Sequence, residues 1–191
     1  MKNFADYSQL MCEVLSSIDS SKIDEVHQLL KWTKRDLYLF GNGGSAAIAN
    51  HWVCDFSKGG FEDTGRRSKA TSLSSNMPLI TAIANDIGYE YIFARQLEYM
   101  NPKYHDVAIA ISSSGNSKNI VLGIMKARDL GMTTVAITGF TGGVAATLAD
   151  ISIHIPSSNY GIVEDISMMI LHSLSQRLRL EYAKDPNKLK L

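Results

Sequence analysis

The sequence predicts an α/β fold: a three-layer αβα sandwich around a parallel sheet, with a helical pair ahead of it. Three observations carry that reading. From Asp36 onward, short apolar runs alternate with helix-length segments, which implies a parallel sheet covered on both faces. Glycine-bearing turns follow the first, third and fourth runs, at Gly41–Gly44, Gly115 and Gly139–Gly143. These are the carboxyl ends of parallel strands, where open sheets place ligands. Before Asp36 the apolar spacing is helical instead.

In chain order, Phe4, Tyr7, Leu10, Met11, Val14 and Leu15 form one apolar stripe over the first part of residues 1–33. Ser17–Ser21 breaks it, and Ile23, Val26, Leu29 and Leu30 form a second stripe. Two antiparallel helices over residues 1–35 are expected. The strands are Leu37–Phe40, Ala70–Leu73, Val107–Ile111, Thr134–Ile137 and Ile151–Ile155. Helices are read over Asn76–Ala84, Tyr91–Tyr99, Ser117–Leu130 and Val163–Tyr182. With no internal repeat or linker, the expectation is a single domain over residues 1–191, its sandwich at 36–183 and a loose polar tail at 184–191.

Composition excludes several classes. The 191 residues carry 19 Lys plus Arg against 19 Asp plus Glu, so a broad basic surface for nucleic acid is not expected. The start of the chain is too polar for a secretory signal, and no stretch is apolar enough to span a membrane. Cys12 and Cys54 match no metal or redox spacing and read as free thiols of a reducing compartment. A cytoplasmic protein is expected.

The most informative segment is Asp106–Ser117. A buried strand ends in four serines and one glycine within six residues, and a helix starts directly after. Hydroxyls of Ser112, Ser114 and Ser117 can donate to phosphate oxygens, Gly115 permits a tight turn, and the new helix points unpaired amides at the same place. The alternative is a polar turn with an N-cap serine. Gly41-Asn42-Gly43-Gly44-Ser45 stands in the equivalent place after the first strand, with Ser45 a candidate cap. It does not meet the GxGxxG dinucleotide pattern, no GxxxxGK[ST] motif occurs, and Ser74 and Ser75 lie where an acidic ribose ligand would be needed. A nucleotide cofactor is therefore not expected.

Gly41–Ala47 with His51, Leu79–Asp86 containing Thr-Ala-Ile-Ala-Asn-Asp, and Ile111–Ser117 together resemble the phosphoheptose isomerases of the sugar isomerase (SIS) domain superfamily. The match spans roughly Asp36 to His172. The resemblance implies a five-stranded flavodoxin-like sheet and a homotetramer with active sites at subunit interfaces. It implies conversion of sedoheptulose 7-phosphate into D-glycero-D-manno-heptose 7-phosphate, a precursor of bacterial surface polysaccharide. By the same resemblance Asn42, Gly43, Gly44, Asn85 and Asp86 contact substrate, and Ser112, Ser113, Ser114 and Ser117 hold its phosphate.

An aldose–ketose isomerase moves a proton between adjacent carbons through an enediol, which calls for a base and for something to hold the developing oxyanion. His51 and Asp55 stand four apart on one helix face and can ligate a divalent metal, although such a pair is also an ordinary surface contact. The resemblance implies that His51, Asp55, Glu164 and His172 bind zinc, that Asp55 and Glu164 also meet substrate, and that Asp55 and His172 transfer protons. The chain departs from the family here. Asp55 replaces a glutamate, Glu164 a glutamine, and Ser167 a histidine. The shorter acid withdraws the carboxylate by more than about 1 Å, a misplacement of the size that costs about a hundredfold in rate. Two imidazoles and two carboxylates nevertheless remain a competent zinc set. On one unbroken helix Glu164 and His172 would stand about 12 Å apart, so either the helix starts after Glu164 or two subunits contribute. Cys54 reads as a buried helix residue, and His105 and His154 as structural. A non-catalytic phosphosugar-sensing regulator, or a scaffold of the kind that binds the replication initiator DnaA, is the alternative to an enzyme.

Overall fold

The computed structural model describes residues 3–31, 35–65 and 69–189. Two helices lead in. Asn3 caps α1 (Phe4–Ser16) by accepting from the Asp6 N–H at 2.9 Å. After the serine-rich break, α2 (Ser20–Lys31) turns its buried Val26, His27 and Leu30 to the core. Residues 32–34, where this predicted helical region ends, lie outside the described residues.

The sheet contains β1 (Leu37–Gly41), β2 (Ala70–Ser72), β3 (Val107–Ser112), β4 (Thr133–Thr138) and β5 (Ile151–His154). All neighbours pair in parallel, in the order β2-β1-β3-β4-β5. The apolar runs of β1 and β3 are buried along their whole length, which is why they read as continuous rather than alternating. Within each strand, however, alternate residues serve different layers. Leu37, Leu39, Val107, Ile109, Ile111, Val135 and Ile137 pack on the face covered by α2, α3 (Gly43–Cys54) and α9 (Tyr160–Tyr182). Tyr38, Phe40, Ala108, Ala110 and Ala136 face the opposite layer. That layer is built from α5 (Met77–Asp86), α6 (Ile92–Met100), α7 (Lys118–Asp129) and α8 (Gly143–Leu148). There the alanines of β3 and β4 leave room for the large rings of β1, and Phe40 meets Phe93 with ring centroids 5.1 Å apart.

Some boundaries differ from those read in sequence. The helix after β1 begins at Gly43, so Ser45 lies inside it and is buried rather than capping it. At Asp55–Gly59 that helix widens into one turn of π geometry before the short α4 (Gly60–Thr64). The tail is not wholly loose: Pro186–Lys188 form a further turn capped by Asp185, while residues 190–191 lie outside the described residues. Cys54 is exposed, not buried, because the buried positions of this part of α3 are Ala49 and Trp52. No helix among the described residues is long and apolar enough to cross a membrane.

The topology fixes where a ligand can sit. β1 connects outward to β2, whereas the chain then crosses back and continues through β3, β4 and β5. The order therefore switches between β1 and β3, and a crevice opens beyond their carboxyl ends. Gly41 is level with Ile111 in the pairing register, so the glycine and serine loops leave the sheet side by side.

Candidate active site

A cleft of about 280 Å³ occupies that switch point. Asn42, Gly43 and Gly44 form one wall, Ser112, Ser113, Ser114 and Ser117 another, and Tyr160 and Glu164 of α9 close it. The serine loop is pinned by its backbone. Gly115, at φ +64°, donates to the Ser112 carbonyl at 3.2 Å, while its own carbonyl accepts from Ala145 at 2.9 Å. A side chain there would also strike the carbonyl of Gly142. Ser113 accepts from Gly139 N–H at 3.0 Å, and the Asn116 carboxamide accepts from Val144 N–H at 3.0 Å.

The Ser112 and Ser114 hydroxyls only accept, from Gly115 N–H at 3.2 Å and Asn116 N–H at 3.3 Å, among the described residues. Ser117 occupies the N-cap position of α7 but makes no side-chain capping bond, so its hydroxyl does not serve to close the helix end. Asn42 likewise precedes α3 without capping it by its side chain. Two helices, α3 and α7, thus bring positive N-terminal ends with unpaired amides to one cleft. No lysine or arginine is among the lining residues. The arrangement is an anion site built from backbone dipoles and hydroxyls.

Glu164 departs from that pattern. Its carboxylate presses against Gly44 so closely that any β-carbon at 44 would collide with it. The first turn of α3 is a favourable place for a negative charge, and it is the absence of a side chain at Gly44 that admits it.

A second cluster lies farther along the same helix pair. His51 Nε2 and His172 Nε2 are 3.0 Å apart, and Asp55 Oδ2 is 3.5 Å from the first and 3.3 Å from the second. The three ligand atoms lie within 4.8 Å of one another. Ligand atoms around a tetrahedral zinc at its usual bond lengths are spaced about 3.3 Å apart, so these residues fit such an ion. Two imidazoles and one carboxylate also leave a fourth position open, as catalytic zinc sites do. Asp55, despite its short side chain, reaches both histidines.

Glu164 does not join them. α9 runs unbroken from Tyr160 to Tyr182, which removes the possibility that the helix starts after Glu164. On one chain Glu164 and His172 stand about 12 Å apart along the axis. Gly44 meets Glu164 at one end, and His51 meets His172 at the other, so α3 and α9 run parallel. Tyr7 fastens α1 to the same helix, donating to Asp165 Oδ2 at 2.6 Å. That hydrogen bond, with partial burial, pushes the phenol up to about 12.

Asn85 and Asp86 end α5 and bond to each other at 2.8 Å, but neither lines the cleft of this chain. Sequence reasoning missed Tyr160, Tyr89 and Asn119. Tyr160 lines the cleft, while Tyr89 and Asn119 both contact Asn42. Asn119 stands two residues beyond Ser117 in the motif, which was the available signal; the two tyrosines carry none. His154 bonds the Phe140 carbonyl at 3.0 Å, and the His105 ring lies against Tyr104, centroids 3.9 Å apart and tilted by 59°.

Comparison with known proteins agrees with the geometry. Residues 3–139 match the SIS domain family. A phosphoheptose isomerase of Helicobacter pylori (strain P12) is 34% identical over 184 residues, 95% of each chain. That of Aquifex aeolicus is 41% identical over 138 residues, 72% of this chain and 71% of the relative. The solved structure of a phosphoheptose isomerase from Neisseria gonorrhoeae superposes with a TM-score of 0.81 at 25% identity, covering 92% of this chain and 94% of the other.

Proposed function

The chain belongs to the SIS domain family and, within it, to the phosphoheptose isomerases; from that premise we propose that it interconverts sedoheptulose 7-phosphate and D-glycero-D-manno-heptose 7-phosphate. Its class of reaction is that of a sugar-phosphate aldose–ketose isomerase. The observation that carries the reading is the joint presence, on one parallel helix pair, of an anion cleft and the His51–Asp55–His172 cluster. A substrate with phosphate at one end and a carbonyl at the other suits two such centres.

In this reading Ser112, Ser113, Ser114 and Ser117 hold the phosphate, and Asn42, Gly43 and Gly44 meet the sugar. Asp55 removes the C1 proton while His172 protonates the C2 oxygen, giving an enediol. Delivery of a proton to C2 and loss of the O1 proton complete the aldose. His51, Asp55 and His172 would hold zinc, which when bound would supply positive charge for the oxygens on which negative charge develops. Glu164 serves the same site from the cleft; as a metal ligand it would have to reach a neighbouring chain's cluster.

A homotetramer with interfacial sites completes the proposal, and Asn85 and Asp86 then act on a neighbouring chain's cleft. Support comes from the outer face of α9, where Met168, Met169 and Leu180 border a groove of about 540 Å³ beside His172. The single SIS unit acts in the cytoplasm. A regulator or scaffold has no use for two imidazoles and a carboxylate held at these distances. The test is incubation of pure protein with sedoheptulose 7-phosphate, with zinc and with chelator. Chelator-sensitive appearance of aldoheptose phosphate is expected, and binding of the sugar phosphate with no turnover in any metal condition would refute the isomerase reading.

A further inference from the structure

Asn119, second residue of α7, is 2% exposed. Its carboxamide pairs reciprocally with that of Asn42 across the gap between the two loops. Asn42 Nδ2 donates to Asn119 Oδ1 at 3.0 Å, and Asn119 Nδ2 donates to Asn42 Oδ1 at 2.8 Å. The Tyr89 hydroxyl reaches the same Asn42 oxygen at 3.1 Å. An amide pair taken alone can be turned over as a whole, each oxygen exchanged with its nitrogen, and still form two bonds.

One further contact removes that freedom. The Ile120 backbone N–H donates to Asn119 Oδ1 at 3.0 Å, and a backbone N–H can only donate. The Asn119 oxygen must therefore lie there, its nitrogen must face the Asn42 oxygen, and Tyr89 must donate. Polarity passes from the backbone of α7 to Asn42. The Asn42 oxygen is then occupied by two donors, while one of its N–H groups is left outside this network on a residue that lines the cleft.

We infer that Asn119 is a positioning residue, which fixes Asn42 as a hydrogen-bond donor toward the oxygens of a sugar phosphate and holds the glycine loop against the serine loop. The inference rests on the cleft being the sugar-phosphate site. It assigns no contact with substrate to Asn119 itself.

A double-mutant cycle in sugar-phosphate affinity tests it, because a residue acting only through Asn42 has no effect once Asn42 is gone. Calorimetry of sedoheptulose 7-phosphate binding to the full chain is the readout. Asn42→Ala and Asn119→Ala are each expected to raise Kd about tenfold, the scale of one hydrogen bond to a charged ligand. The double variant is expected to bind no more weakly than Asn42→Ala alone. Losses that multiply, or an Asn119→Ala protein within about twofold of wild type, would overturn the inference. Tyr89 is exposed on a single turn, so Tyr89→Phe supplies a second cycle with Asn42 if Asn119→Ala does not fold. It is expected to weaken binding a few-fold in wild type and not in Asn42→Ala, and an equal loss in both backgrounds counts against the network. Wild type that binds no sugar phosphate refutes the cleft reading and this inference together. Binding without turnover refutes only the isomerase assignment, and the cycle in Kd still decides the inference.

Discussion

Trp52 Nε1 donates to the Leu171 carbonyl at 2.7 Å, and each partner stands next in sequence to one of the facing histidines. Trp52 is fully buried and stacks on Phe56, with ring centroids 4.9 Å apart. The bond joins α3 to α9 at the level of His51 and His172. A contact in the core therefore sets the separation of two side chains at the surface.

Trp52→Phe should loosen that separation. The variant loses a buried donor and part of a ring, worth roughly 1–3 kcal/mol of stability. Cobalt(II), as a spectroscopic stand-in for zinc, should bind more weakly to it while sugar-phosphate binding at the serine loop is kept. Unchanged cobalt affinity in a destabilised but folded protein would show that the helix contact does not govern the cluster.

Asp55 lies within 3.5 Å of both histidine nitrogens, so its shorter side chain leaves it in reach of the centre. Asp55→Asn keeps the size and removes the base. Turnover should fall by at least about a hundredfold, the usual scale for losing a general base. Binding of sugar phosphate, measured separately, should change only slightly. Full activity in Asp55→Asn would end its assignment as the base.

What the sequence discloses follows the range of the interactions involved. β3 was legible because Val107–Ile111 is buried on both sides and so carries no polar interruption. The serine and glycine loops were legible because backbone turns need glycine within a few residues. Ser45 was misread as a cap because α3 starts earlier, with Gly43 at φ +53° leading into it. The separation of Glu164 from His172 was foreseen as a difficulty, but only the unbroken α9 decides which resolution fails. The pairs Asn42–Asn119 and Trp52–Leu171 join residues 77 and 119 positions apart. No local pattern encodes such a contact.

Ser117 and Asn76 precede helices in the same way but do different things. Asn76 accepts from the Leu79 N–H at 3.1 Å and caps α5, whereas Ser117 makes no capping bond. Asn76→Ala should therefore destabilise the fold by about 1 kcal/mol. Ser117→Ala should leave the unfolding midpoint nearly unchanged but raise the Michaelis constant for sugar phosphate. Ser114→Ala should raise it too, its hydroxyl being engaged, among the described residues, only by a long 3.3 Å contact from Asn116 N–H. Paired denaturation and kinetic measurements separate the roles, and a Ser117→Ala protein as destabilised as Asn76→Ala would return Ser117 to the status of a cap.

His27 makes the fold sensitive to acid. It is 4% exposed between α2 and α9, and neither ring nitrogen forms a hydrogen bond among the described residues; Nε2 stays 3.5 Å from Glu181. Burial, reinforced by Arg177 and Lys31 and opposed by Glu181 and Asp24, holds its pKa below the ordinary histidine value. The unfolded chain then binds the proton more readily than the folded one. The stability associated with neutral His27 is complete above the unfolded value of about 6.5 and is lost as pH falls from there toward the folded value. The slope contributed by this one group cannot exceed about 1.4 kcal/mol per pH unit. His27→Leu removes the titration, and since the ring has no hydrogen bond to lose, the substitution should be close to neutral at pH 7.5. Urea midpoints at pH 7.5 and 5.5 should therefore differ less in His27→Leu than in wild type, and equal differences would exclude His27 as a source of the acid slope.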